Sequence, residues 1–205
     1  MLIMQAMQSP PYQQWNTPPP SRRNKGPNVL LIVFGVLGSV GAVCCGGGSL
    51  FLWRSGVGDT VACSNYMASG EYKKAIPACR SVVEKMPAVS AAHNNLAWCL
   101  ALDGQGPEAV QEAKKAVEIA PRPTYYDTLA MALAISGRGK EALDIETTYV
   151  MVNGEVANDA QKVTLGMVYY SVGRTQDARA QWEQVKKGTD ETSQELAQSF
   201  ETKYP

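Results

Sequence analysis

The residue types that most often carry out catalysis or bind metals are sparse in this chain. His93 is the only histidine, so neither a Ser-His-Asp triad nor a histidine-based metal site is expected. None of the five cysteines forms a C-x-x-C pair, the spacing typical of zinc and thioredoxin sites. The sequence also lacks a glycine-rich phosphate loop and a nucleophile elbow. It therefore predicts a protein that is not an enzyme and that uses no cofactor or metal.

The charge of the chain argues against a nucleic-acid partner. Its 205 residues include 19 basic and 19 acidic side chains, so the formal net charge is zero. Arg22, Arg23 and Lys25 lie near the N-terminus, where there is no acidic residue, so the part from Arg54 onward is slightly acidic. A slightly acidic domain lacks the positive charge that binds phosphates.

An uncharged, mostly apolar stretch separates the N-terminal tail from the rest of the chain. No charged residue occurs between Gly26 and Trp53, and a membrane-spanning helix needs about 20 mostly apolar residues. Residues 29–53 are therefore predicted to form a transmembrane helix, after a proline-rich, disordered cytoplasmic tail at residues 1–28. Small residues one helical turn apart in this stretch would allow a homodimer through the membrane helix, although they are also common in unpaired membrane helices.

The flanking charges predict the orientation of this helix. Three basic residues lie just before it and only Arg54 lies just after it. The positive-inside rule then places the N-terminus in the cytoplasm and the C-terminal domain in the periplasm or outside the cell. A cleaved signal peptide and a lipidated Cys44 or Cys45 are the alternatives. An uncleaved anchor is favoured because no A-x-A-like site follows the apolar run and no good lipobox precedes either cysteine.

A repeat with a period near 34 residues occupies the remainder of the chain. Four glycines, each five residues before an alanine, mark it: Gly70, Gly104, Gly137 and Gly173, before Ala75, Ala109, Ala142 and Ala178. The fourth repeat adds Leu165-Gly166, Tyr169 and Trp182. This pattern resembles the tetratricopeptide repeat, a pair of antiparallel helices. Glu146 departs from it, since it stands where the third repeat should have an aromatic residue.

The resemblance implies an all-α fold, an α-solenoid of about four helical hairpins with a C-terminal capping helix, preceded by the transmembrane helix. The domain would span residues 56–205, with repeats at about 56–89, 90–122, 123–158 and 159–187 and a cap at 189–204. The glycine of each repeat is expected to form the turn between its two helices. Leu196, Phe200 and Tyr204 would give the cap one apolar stripe, with which it covers the open end of the solenoid.

The resemblance also implies a protein or peptide partner, bound in a concave groove along the first helices of the hairpins. The expected lining residues are Ser64, Asn94, Asn95, Trp98, Asp127, Met131, Met167 and Tyr170. Asparagines can hydrogen-bond an extended peptide, and Trp98 can either anchor a partner or pack between repeats. One subclass holds a C-terminal carboxylate with lysines, an arginine and asparagines, and Asn95 matches one of these asparagines. Its basic positions are occupied here by Thr60, Thr124 and Thr128, so that ligand is not expected. His93 is expected to be structural.

Two cysteines fall within the first hairpin of the resembled pattern. Cys63 and Cys79 lie at equal distances along the chain from Glu71, near the expected turn. The pattern places both side chains between the two helices, so they are candidates for a disulfide, which an exterior location would permit. Two buried free thiols are the alternative, and Cys99 would be unpaired in either case.

These features favour a membrane-anchored scaffold or adaptor that binds other proteins outside the cytoplasm. One alternative is an envelope chaperone or assembly factor that holds exported proteins near a translocon. Another is an accessory or sensor domain, which the short tail makes less attractive because it carries no signalling domain.

Overall fold

The computed structural model describes residues 57–151, 156 and 158–204, and the regular structure within them is helical. The α-helices are α1 Val57–Ala68, α2 Tyr72–Lys85, α3 Ser90–Leu102, α4 Gly106–Ile119, α5 Pro123–Ile135, α6 Gly139–Ile145, α7 Asp159–Ser171, α8 Thr175–Lys186 and α9 Glu191–Lys203. A π-helical turn, Glu146–Val150, continues α6 directly. The prediction of an all-α fold is confirmed for this part of the chain.

The predicted tail at residues 1–28 and the predicted transmembrane helix at 29–53 lie outside the described residues, and so does the proposed packing of two membrane helices. Among the helices α1 to α9, none is both long enough and apolar enough to cross a bilayer.

Four helical hairpins follow one another, and each turns at a glycine. The hairpins are α1–α2, α3–α4, α5–α6 and α7–α8, and the two helices of each pack together. Gly70, Gly104, Gly137 and Gly173 have φ angles of 68°, 83°, 76° and 82°. Only glycine adopts this left-handed region without steric cost, so the predicted role of these four glycines as turns is confirmed.

One hydrophobic core runs through all four hairpins. The first helices of the later hairpins stack, with α3 on α5 and α5 on α7, while α1 packs mainly on α2. The buried cluster extends without interruption from Cys63 in α1 to Phe200 in α9. Each hairpin therefore completes the core of its neighbour, the arrangement of an α-solenoid.

The C-terminal end of this core is closed by α9, which packs on α7 and α8. Trp182 is fully buried there, with its ring centroid 5.9 Å from that of Phe200. Its indole N–H donates to the carbonyl of Val163 at 3.2 Å. A Cβ added to Gly166 would lie 2.2 Å from the indole nitrogen, so only glycine leaves room for the tryptophan. Phe200 is buried as the apolar stripe of the cap predicts.

Candidate functional site

The first helices of hairpins one and two present a polar surface with one aromatic residue. Ser64 in α1 is exposed, and Asn94, Asn95 and Trp98 in α3 are half-buried. The amide oxygen of Asn94 is buried and has no hydrogen-bond partner among the described residues. We call Ser64, Asn94, Asn95 and Trp98 the N-terminal surface. The hydroxyl and the two amides of these residues can donate and accept hydrogen bonds.

Trp98 combines the two roles that its sequence position suggested. Part of its side chain packs against the buried core, and the remainder is open to solvent. An indole held on one face by a rigid core loses little conformational freedom when a partner covers the other face. It is therefore a suitable anchor residue for a protein partner.

The residues at the corresponding positions of hairpins three and four are buried. Met131 in α5 is 0% exposed and Met167 in α7 is 3% exposed. Asp127 in α5 is 5% exposed. These three were expected to line the groove, and their burial removes them from any surface that a partner could contact. Two methionines at this spacing instead fill the core between stacked first helices, which the sequence pattern alone did not distinguish.

Tyr170, the last expected groove residue, belongs to an aromatic cluster at the C-terminal end. It is half-buried, with its ring centroid 5.0 Å from that of Tyr204 and 6.5 Å from that of Trp182. Its contacts therefore tie α7 to the capping helix. The accessible part of the predicted groove is concentrated in the N-terminal surface.

The expected cysteine pair lies in the seam between α1 and α2. The sulfur atoms of Cys63 and Cys79 are 2.05 Å apart, and their Cα atoms are 5.0 Å apart. The sulfur of Cys99, in α3, is 3.9 Å from that of Cys79 and is buried. Burial raises the pKa of the Cys99 thiol to about 12, so it stays protonated and unreactive at neutral pH.

A comparison with known protein families agrees with the repeat pattern. Residues 66–134 match the tetratricopeptide repeat family model. The match begins near the end of α1 and ends in α5, so it covers α3, the helix that carries Asn94, Asn95 and Trp98. Tetratricopeptide repeats generally mediate protein–protein interaction and are typically non-catalytic modules. No curated protein matches the chain.

The single histidine lies in the second hairpin, where it contacts two neighbouring segments. His93 Nδ1 lies 2.6 Å from Glu112 Oε2, and its Nε2 lies 2.9 Å from the carbonyl oxygen of Pro87. Lys115 also donates to Glu112, at 2.8 Å. Burial by itself would raise the pKa of Glu112, but the hydrogen bonds from Lys115 and His93 lower it overall. These contacts join α3, α4 and the preceding turn, so His93 has a structural environment, with both ring nitrogens occupied.

The departure from the tetratricopeptide pattern at Glu146 creates a buried polar contact that the sequence did not predict. Glu146 is 0% exposed and faces Asp127, itself buried. The hydroxyl of Thr164 in α7 donates to Asp127 Oδ2 at 3.1 Å. The sequence shows that Glu146 is an acidic residue at a position where the repeat pattern has an aromatic one. That Asp127 is its partner could be identified only from the fold.

No group of three or more histidine, cysteine, aspartate or glutamate side chains within residues 57–151 and 158–204 is arranged to hold a metal ion.

Proposed function

We propose that this chain is a single-pass membrane scaffold that binds a protein partner through the N-terminal surface of its tetratricopeptide domain. The observation that carries the proposal is the contrast in burial along the first helices. Ser64, Asn95 and Trp98 remain accessible, whereas Met131 and Met167 are buried at comparable positions. A partner would therefore contact hairpins one and two.

The chemistry of this surface suits a protein segment that offers backbone hydrogen bonds and an apolar side chain. The amide of Asn95 can bond both the N–H and the C=O of an extended peptide. The exposed face of Trp98 can cover an apolar side chain, and exclusion of water around it would strengthen the neighbouring hydrogen bonds. The basic residues that would hold a C-terminal carboxylate are missing, so an internal peptide segment or a folded surface is the favoured ligand.

We propose that the domain is held outside the cytoplasm by residues 29–53. The support is the absence of charge between Gly26 and Trp53, together with three basic residues before this stretch and one after it. Reporter fusions at each end of the full chain would test this. Activity of a cytoplasmic reporter at the N-terminus and of an exported reporter at the C-terminus is expected, and the reverse pattern would contradict the orientation.

A location outside the cytoplasm would also permit the proposed bond between Cys63 and Cys79. Their Cα separation of 5.0 Å lies within the range that disulfides need. Mass measurement after alkylation, with and without reductant, tests the bond. Alkylation of both cysteines in the unreduced chain would contradict it.

The binding role is tested by chemical crosslinking of the full chain in its native membrane, followed by identification of the attached proteins. A Trp98→Ala variant is expected to lose most of the crosslinked product. Gln111→Ala, an exposed change in α4 outside the N-terminal surface, is the matched control and should retain it. A single recurrent partner supports the scaffold, whereas many unfolded clients would favour a chaperone; equal crosslinking by both variants would contradict the proposed surface.

A further inference from the structure

A buried contact within the third hairpin, beside Thr164 of the fourth, joins two acidic side chains. Asp127 lies in the middle of α5, and Glu146 is the first residue of the π-helical turn. They are 5% and 0% exposed, respectively. An aromatic residue would fill this position in the repeat pattern with an apolar ring. In this chain the position is occupied by a second carboxyl group, which is buried away from solvent.

The hydrogen bonds available to the two carboxyl groups are too few for both to be ionised. Thr164 donates to one oxygen of Asp127. The other three oxygens, Asp127 Oδ1 and both of Glu146, have no donor among the described residues. A buried carboxylate that has lost its hydration needs donors or a cation, and two carboxylates that face each other also repel. A proton on one group relieves both problems, because a carboxylic acid can donate to its neighbour.

The surrounding helices supply no compensating positive charge. From α7 the polar group that faces the pair is the hydroxyl of Thr164, since Lys162 on that helix bonds Asp159 at 3.0 Å. From α5 and the π-helical turn the titratable groups that face the pair are Asp127 and Glu146 themselves. Within the described residues, α3 and α6 contribute no charged group that acts on either carboxyl.

We propose that Asp127 and Glu146 share a proton and form a pH-sensitive contact within hairpin three, beside α7 of hairpin four, that is closed while one of them is protonated and opens when both ionise. Opening releases the proton to solvent and leaves two carboxylates that must regain water. Glu146 lies where the backbone passes from α-helical to π-helical hydrogen bonding. Because such turns interrupt the regular hydrogen bonding of a helix, the proposal places the opening at this turn.

The electrostatics give the direction of the pH response. Burial raises the pKa of Asp127 to about 7, although the bond from Thr164 lowers it in part. Burial and the nearby charge of Asp127 raise the pKa of Glu146 well above its usual range. In the unfolded chain both groups ionise near pH 4, so the folded state binds more protons above that pH. The stability of the closed contact is therefore greatest in acid and is lost as the pH rises through neutrality.

Hydrogen–deuterium exchange of the full chain in detergent, read by mass spectrometry, tests the proposal locally. Peptides covering residues 146–150 and α7 would be compared in the native chain and in a Glu146→Gln variant at each pH, so that the intrinsic pH dependence of exchange cancels. Glutamine keeps the shape and supplies a donor to Asp127. The two chains should exchange alike near pH 5. Above neutrality the exchange rate of the native chain relative to the variant should rise, by up to about tenfold per pH unit for each proton released.

Glu141→Gln is the matched control, because Glu141 is an exposed residue of α6. It should leave the pH dependence of the native chain unchanged. If the native chain and the Glu146→Gln variant keep the same ratio of exchange across the whole pH range, the proposal is wrong.

A second measurement does not depend on the variant folding. Infrared spectra of the native chain should contain the C=O stretch of a protonated carboxyl group near neutral pH, which fades as the pH is raised. Absence of this band at neutral pH would overturn the shared proton even if the variant proved unstable.

Discussion

The first and last hairpins differ in what holds their helices together and in how far they are exposed to solvent. Hairpin one has a cysteine pair between its helices and leaves Val57 and Val61 of α1 about half exposed. Hairpin four buries Trp182 completely and is covered by a further helix, α9. The same repeat therefore yields a covered, aromatic end and an open end. The surface available to a partner thus depends on which hairpin carries a residue, as well as on its position in the repeat.

Removal of the aromatic core of hairpin four should have the largest effect. Trp182→Ala would empty a site that touches α7 and α9, and a change of this kind costs about 3–5 kcal/mol. Chemical denaturation followed by circular dichroism measures the loss. Gln181→Ala, on the same helix but half-buried, is the control and should cost much less. Equal losses from the two changes would contradict the view that the covered end is held by Trp182.

The cysteine pair should be the next strongest contributor. The residues are 16 apart in sequence, and closure of a loop of about this length stabilises a fold by about 3 kcal/mol. Cys63→Ser should therefore lower the free energy of unfolding under oxidising conditions and have far less effect in reductant. Cys99→Ser leaves the pair intact and serves as the control. Should the native chain have the same stability with and without reductant, the bond would not hold the open end together.

The hydrogen bonds around His93 and Glu112 should contribute less to the free energy of unfolding, and their contribution should depend on pH. The pKa of Glu112 is lowered by its partners, so its carboxylate stabilises the fold at neutral pH and this contribution is lost as the pH falls below about 4.5. Glu112→Gln is expected to cost about 2 kcal/mol near neutrality and little in acid. Urea titrations at both pH values measure this. A cost that persists undiminished in acid would show that the charge of Glu112 is not its source.

A turn glycine between the two ends gives the smallest expected effect. Gly137 has a φ of +76°, and no atom lies within 4 Å of the place that a Cβ would take, so alanine would meet backbone strain without a steric clash. Gly137→Ala should cost about 1 kcal/mol. Gly58→Ala, inside α1 at an ordinary φ and equally uncrowded, should be neutral or slightly stabilising. Thermal unfolding of the pair compares them, and a similar loss from both would argue against strain at the turn.

The sequence was sufficient to predict the helical class and the positions of the turns. Four glycines in phase require a left-handed backbone at regular intervals, and this local requirement does not depend on the neighbouring hairpins. The seam between α1 and α2 could be inferred in the same way from residues level with the turn.

The sequence was not sufficient to predict which groove positions stay open. Asp127, Met131 and Met167 are buried because α5 and α7 stack closely and the end of the core is covered, and both are properties of several hairpins together. The contact of Asp127 with Glu146 could not be foreseen either, since 19 residues and a π-helical turn separate them along the chain. The burial of these residues and the contact between the two carboxyl groups both depend on packing between segments that are distant in sequence.

The contrast between an open and a covered end is tested most directly by photocrosslinking from single positions in the full chain in its native membrane. A photoreactive residue at position 64 or 95 should attach to a protein partner, and Trp98→Ala should abolish that product. The same probe at position 111, exposed on α4, should give none. Partner attachment from position 111 with no product from 64 or 95 would contradict the proposed binding surface.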